Sequence, residues 1–114
     1  MTSETAIKKE IVAYLDSLGS ACYHFPVHNM GYGRRGIPDR IICYKGYFLA
    51  PEIKRPPEKR RKSPEAEKWQ EREIGAILDA GGWAGVIWSV TQMRSIIRSI
   101  DHRIEMRAVT RMPF

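Results

Sequence analysis

Two carboxylates and a lysine stand at the two ends of a strand–turn–strand pattern. Pro38-Asp39 opens it and Glu52-Ile53-Lys54 closes it. Between them Arg40-Ile41-Ile42-Cys43-Tyr44 reads as one strand, Lys45-Gly46 as a tight turn and Tyr47-Phe48-Leu49-Ala50 as the strand that returns. Hairpin pairing sets the start of the first strand beside the end of the second, so Asp39 comes next to Glu52 and Lys54. Because strand side chains alternate, Glu52 and Lys54 share a face and Ile53 takes the other. Two carboxylates and an ammonium at close quarters form a hard oxygen site suited to Mg²⁺ or Mn²⁺, with the lysine free to orient a water or steady a developing oxyanion. Phosphodiester hydrolysis is the natural chemistry of such a group. Taken singly, a Glu-x-Lys triplet is common and Pro-Asp often opens a turn, so a surface ion cluster is the alternative for either piece. Their order, the hairpin between them and the placement of charge after core-like runs favour a site.

The flanking segments must position that array. Glu4, Ile7, Ile11, Tyr14, Leu15 and Leu18 form a helical stripe that stops at Gly19, which puts Glu4 on the buried face and Glu10 off it. Tyr23, Phe25 and Val27 alternate as a first strand, and a glycine-rich loop over 29–36 follows, carrying Arg34 and Arg35. Those arginines suit phosphate contacts, and a solvated connection is the equal alternative. The densest positive charge follows Lys54, in Arg55, Lys59, Arg60, Arg61 and Lys62. Charge runs are usually solvated, but this one leaves directly from the Glu-x-Lys strand, which favours contact with a nucleic-acid backbone.

Ser63-Pro64-Glu65 has the form of a helix cap, an N1 proline and a first-turn acid. On that helix Gln70 shares the inward stripe with Ile74, Ile77 and Leu78, as a satisfied core amide or as a site group. Gly81-Gly82 ends the helix, and the apolar run from Trp83 to Ser89 suits a central strand covered on both faces. Thr91 is the expected cap of a last helix with Met93, Ile96, Ile97 and Ile100 inward. Ile104, Met106 and Ala108 then alternate with Glu105 and Arg107, a candidate extra C-terminal strand. The expected order is αβββαβα.

At 114 residues the chain is expected to be one domain, 1–114, with enough apolar residues to bury a core without staples. A net charge of +6 and a pI near 9.6 fit a polyanionic partner. Cys22 and Cys43 lack metal-site spacing and are expected to be buried thiols; a zinc site from Cys22, His24 and His28 matches no standard ligand pattern. No run is long enough to span a membrane and no signal peptide is recognisable, so a cytoplasmic protein is expected.

With these pieces in order, the chain resembles the PD-(D/E)XK nucleases and, within them, the VRR-NUC domain. The likeness is carried by Glu4 with Ile7, Ile11, Tyr14-Leu15 and Gly19; by Gly36-Ile37-Pro38-Asp39; by the run from Phe48 to Pro56; by Ser63-Pro64-Glu65 with Gln70; and by Ala80-Gly81-Gly82 before a strand ending in Trp88-Ser89-Val90. The resemblance implies an α/β restriction-endonuclease-like core, a mixed central sheet flanked by helices. It implies that Asp39 and Glu52 are metal ligands with the carbonyl of Ile53 as another, that Lys54 is the catalytic lysine, and that Gln70 and Glu4 complete the site. Pro51 departs from a regular strand, so its stretch is expected to be an edge or locally distorted.

The activity so implied is metal-dependent hydrolysis of DNA by an endonuclease leaving 5′-phosphate ends. By analogy with stand-alone members, it acts as a homodimer on branched DNA such as four-way (Holliday) junctions. Ile104, Met106, Val109, Met112 and Phe114 are the expected dimer contacts, with packing of the tail on its own chain as the alternative. A non-cleaving nucleic-acid-binding module and an RNA-directed nuclease are the competing readings.

Overall fold

The computed structural model describes residues 3–28, 35–60 and 64–110. Seven main elements follow one another: α1 (Glu4–Ser17), β1 (Cys22–Pro26), β2 (Arg40–Tyr44), β3 (Tyr47–Ile53), α2 (Pro64–Asp79), β4 (Trp83–Ile87) and α3 (Val90–Thr110), with short 3₁₀ turns at Gly19–Ala21 and Pro57–Lys59. The four strands form one sheet in the order β1-β2-β3-β4. The first three are antiparallel and β4 runs parallel to β3. This is the expected αβββαβα order and mixed sheet. None of the described helices is long and apolar enough to cross a membrane.

Local chemistry explains the element ends. The Ser3 hydroxyl accepts from the Ala6 amide at 3.0 Å and caps α1. Lys45 and Gly46 both have positive φ, 48° and 87°, the combination of a type I′ turn whose twist matches the flanking strands, so the β2–β3 hairpin closes on two residues. The cap of α3 is Ser89 rather than Thr91. Its Oγ accepts from the Gln92 amide at 3.2 Å while Gln92 Oε1 accepts from the Trp88 amide at 2.6 Å, a reciprocal arrangement that Thr91, inside the first turn, does not enter. The Ser63 cap expected for α2 lies outside the described residues.

The core fills one face of the sheet. Ile42, Tyr44, Leu49, Ile53 and Ile87 of the strands meet Ile7, Ile11 and Leu15 of α1 and Met93, Ile97 and Ile100 of α3. On the opposite face α2 packs against β4, and Gly82 lies against Phe48 of β3 and Ile77 of α2. That cover stops short of β1 and β2.

Several expectations are corrected. Tyr23 is 69 % exposed and Phe25 stacks edge-on against it at 5.9 Å, so the apolar alternation of β1 faces outward and Cys22 and His24 turn inward. Cys43, paired with Tyr23, is on that uncovered face and is exposed; only Cys22 is partly buried. Within the described sheet β4 is an edge, paired only with β3. Leu78 is exposed rather than part of the inward stripe of α2. The candidate C-terminal strand is helix: Ile100 and Ile104 continue the i, i+4 spacing from Met93 and Ile97, and no glycine or proline intervenes before Thr110.

β3 is not an edge either. It pairs with β2 only through Leu49, and with β4 from Leu49 to Ile53. Backbone N–H groups alternate sides along a strand. Lys54 N–H donates to Ile87 O at 3.0 Å on the β4 side, so Ile53 and Pro51 address the β2 side, and Pro51 has no donor to offer where the β2 ladder ends. The proline fits an inner strand because its neighbour has already diverged.

Candidate active site

Divergence of β2 from β3 makes room for a side chain between them. Asp39 is the residue before β2, and its main-chain carbonyl accepts from Val27 N at 2.9 Å, which ties it to the end of β1. Its Oδ2 accepts the Ile53 amide at 2.7 Å. A carboxylate thus replaces the missing rung of the ladder, and the residue that holds it sits between Glu52 and Lys54.

Glu52 is the only buried charged residue among the described residues, 8 % exposed. It is in hydrogen-bonding contact with Asp39. Burial, then the Asp39 charge and that hydrogen bond, push its carboxyl up to about 8, while Lys54 and Lys8 pull in the opposite direction. At neutral pH Glu52 therefore keeps its proton in the absence of another cation. Lys54 leaves the strand two residues after Glu52, half-buried, and opens onto a cleft of about 460 Å³.

That cleft gathers Glu4, Lys54, Gln70, Arg55, Lys59 and Arg60 of the expected set, while Asp39 and Glu52 are not among its lining residues. Its lining comes from Glu4 of α1, Lys54, Arg55, Lys59 and Arg60 of the segment after β3, and Glu67, Gln70, Glu71 and Ile74 of α2, with Val86 of β4. Glu4 is less enclosed than its place on the stripe implied, with 46 % of its side chain exposed, because it begins the helix. Gln70 is held by a close approach. Gly36, at φ 76°, lies so near the backbone of Trp69 and Gln70 that any Cβ there would collide with it.

Among the basic residues, Arg60 is ordered by its Nε–H donating to the Arg55 carbonyl at 2.6 Å and by stacking over Trp88 at 5.1 Å. Arg35 and Arg72 lie over Trp69, at 5.6 and 5.0 Å. Arg34, Arg61 and Lys62 lie outside the described residues. His24 is engaged elsewhere, with Asp16 at 2.7 Å and Arg40 at 2.7 Å, which leaves nothing of the zinc alternative.

Sequence reasoning missed Lys8, Glu67, Glu71, Trp69, Arg72 and Trp88. Lys8 had a signal: it stands one helical turn after Glu4, and its Nζ lies 3.5 Å from Glu4 and 3.6 Å from Asp39. Glu67 and Glu71 share the same i, i+4 spacing on α2, which reads equally well as a solvated face.

Among the described residues no group of three or more His, Cys, Asp or Glu side chains is gathered closely enough to hold a metal ion. Asp39 and Glu52 make a pair, however, and Mg²⁺ is commonly held by one or two carboxylates with water completing its shell. Two contacting carboxyls, one of them buried and carrying a proton for want of a counter-charge, are the donor set such a cation fits.

No protein-family model and no curated protein matches this sequence. Among solved structures the chain is similar to one described as a VRR_NUC domain, with 22 % identity and a TM-score of 0.64 over 86 % of this chain and 97 % of that one. The chain has the fold of that domain.

Proposed function

We propose that this chain is a divalent-metal-dependent nuclease that hydrolyses DNA phosphodiester bonds at the Asp39–Glu52–Lys54 cluster. The observation that carries this reading is the buried Glu52 carboxyl in contact with Asp39 and near Lys54, which opens onto a cleft that also carries Arg55, Lys59 and Arg60. A buried carboxyl beside a second acid is costly unless something compensates it, and a perturbed carboxyl next to a cleft marks a working site. The likeness of fold to a VRR_NUC domain supports the same class.

Asp39 and Glu52 would hold the ion, with the Ile53 carbonyl as a further oxygen on the same side of the strand. When bound, Mg²⁺ or Mn²⁺ supplies Lewis-acid polarisation of the phosphate and a more acidic water. The residues themselves do the rest. The Ile53 amide fixes the Asp39 carboxylate, so that its free oxygen is aimed before substrate arrives. Lys54, from the rim of the cleft, positions the attacking water or meets negative charge developing on the phosphate. Gln70, whose backbone packs against Gly36, orients that water or the lysine through its amide. Arg55, Lys59 and Arg60 hold the flanking backbone, and Arg34, Arg35, Arg61 and Lys62 are the further phosphate contacts of this proposal.

Branched DNA is the substrate class we favour, with two chains acting together, since two opposed cuts need two symmetric sites. Val109 on α3 is exposed, at a position where such a contact could form. Light scattering tests the assembly: a strict monomer that makes paired junction cuts would refute the link.

The activity is tested with a panel of single-stranded, duplex, flap and four-way-junction DNA plus RNA, each with Mg²⁺, Mn²⁺ or chelator. Cleavage of DNA only with the ion, lost by at least about 10²-fold in Glu52→Ala and Lys54→Ala, is expected. Equal cutting by purified Glu52→Ala would sink the proposal, and preference for RNA would change the substrate.

A further inference from the structure

Lys8 rises from a fixed platform. Its neighbours Ile7 and Ile11 are buried in the core, so the start of α1 cannot drift from the sheet, and the side chain extends to the gap between Glu4 and Asp39. Both acids keep solvent access, with side chains 46 % and 28 % exposed, and are open to a hydrated cation from outside. The cation already there is the lysine.

We infer that the Lys8 ammonium takes the place a second divalent ion would need between Glu4 and Asp39, so that the site binds one ion per chain. This rests on the reading of Asp39 and Glu52 as metal ligands. The Lys8 ammonium lies 3.5 Å from Glu4 and 3.6 Å from Asp39, so a second ion could reach both carboxylates only by displacing it or by lying against it. An ion lying against the ammonium would set like charges together in a partly buried place, where they are poorly screened. The Arg40 guanidinium is turned to His24 at 2.7 Å, and its charge also acts on Asp39 from outside the gap that Lys8 fills. Glu4 then acts as the anchor of Lys8 and not as a ligand. It is a positioning residue, one step removed from the ion.

The test counts Mn²⁺ bound per chain by electron paramagnetic resonance, without DNA, for the full-length wild type, Lys8→Met and Lys8→Arg at slightly alkaline pH. One ion is expected for the wild type and for Lys8→Arg, which keeps the charge, and two for Lys8→Met. Lys8 is partly exposed, so Lys8→Met should fold, and its thermal melt verifies this. Two ions in the wild type, or one in a folded Lys8→Met, would overturn the inference alone. No binding by the wild type would remove the metal reading itself and this step with it.

Discussion

The Ile53 amide donates to Asp39 Oδ2 at 2.7 Å, so one side chain both closes the end of the sheet and stands in the candidate site. Removing it has two separable consequences. Asp39→Asn keeps an oxygen for the amide, whereas Asp39→Ala leaves a partly buried donor unpaired, at a cost of about 1–3 kcal/mol. Both substitutions should abolish cleavage, but only Asp39→Ala should lower the denaturation midpoint appreciably. Equal midpoints in urea titrations would mean that the bond has no structural weight.

Glu52 ties stability to pH. In the folded chain it keeps its proton up to about 8, against an ordinary value of 4.5, because burial and the Asp39 charge disfavour its ionised form. Between those values the folded state binds more protons than the unfolded one. Its contribution is therefore fully present below pH 4.5 and is lost as pH rises through about 8. Without divalent ions the melting temperature should fall across that window, and Glu52→Gln should flatten the fall. Added Mg²⁺ should stabilise the protein more at the alkaline end, where Glu52 gives up its proton readily. A melting curve for Glu52→Gln with the wild-type pH dependence would assign the slope elsewhere.

Much of this arrangement was legible in the sequence because it depends on local rules. The Lys45-Gly46 turn fixes the hairpin, and alternation then puts Glu52 and Lys54 on one face with Asp39 opposite. Periodicity was less reliable where two periods overlap. Ile104, Met106 and Ala108 satisfy strand alternation, yet Ile104 also follows Ile100 by four, and continuity with a helix that is already formed decides the outcome. The outward turn of Tyr23 and Phe25 was not legible at all, since which face of β1 is covered depends on how far α2 reaches across the sheet. Lys8 escaped for a similar reason. Its i, i+4 relation to Glu4 is local, but its approach to Asp39 is tertiary.

Gly36 couples the loop before β2 to the helix that carries Gln70. At φ 76°, and against the backbone of Trp69 and Gln70, an alanine would be strained and would push α2 outward. Gly36→Ala should cost about 1–3 kcal/mol of stability. It should also lower cleavage at saturating DNA, because Gln70 moves with its helix, while Gly75→Ala, where a Cβ meets nothing, should do neither. If Gly36→Ala melts and cuts like the wild type, the close approach is not a constraint.

The basic segment after β3 is predicted to bind through phosphates rather than bases. Arg60 is already ordered by Trp88 and the Arg55 carbonyl, so a phosphate contact there costs little further conformational freedom. Neutralising Arg60, Arg61 and Lys62 together should weaken binding similarly for unrelated DNA sequences. Each lost phosphate contact also releases fewer counterions, so the slope of log affinity against log salt should become shallower by about 2–3. Fluorescence anisotropy across a salt series, with the divalent ion withheld to prevent cleavage, measures both effects. An unchanged slope would return the segment to an ordinary solvated surface, since a charge that touches no phosphate displaces no counterion.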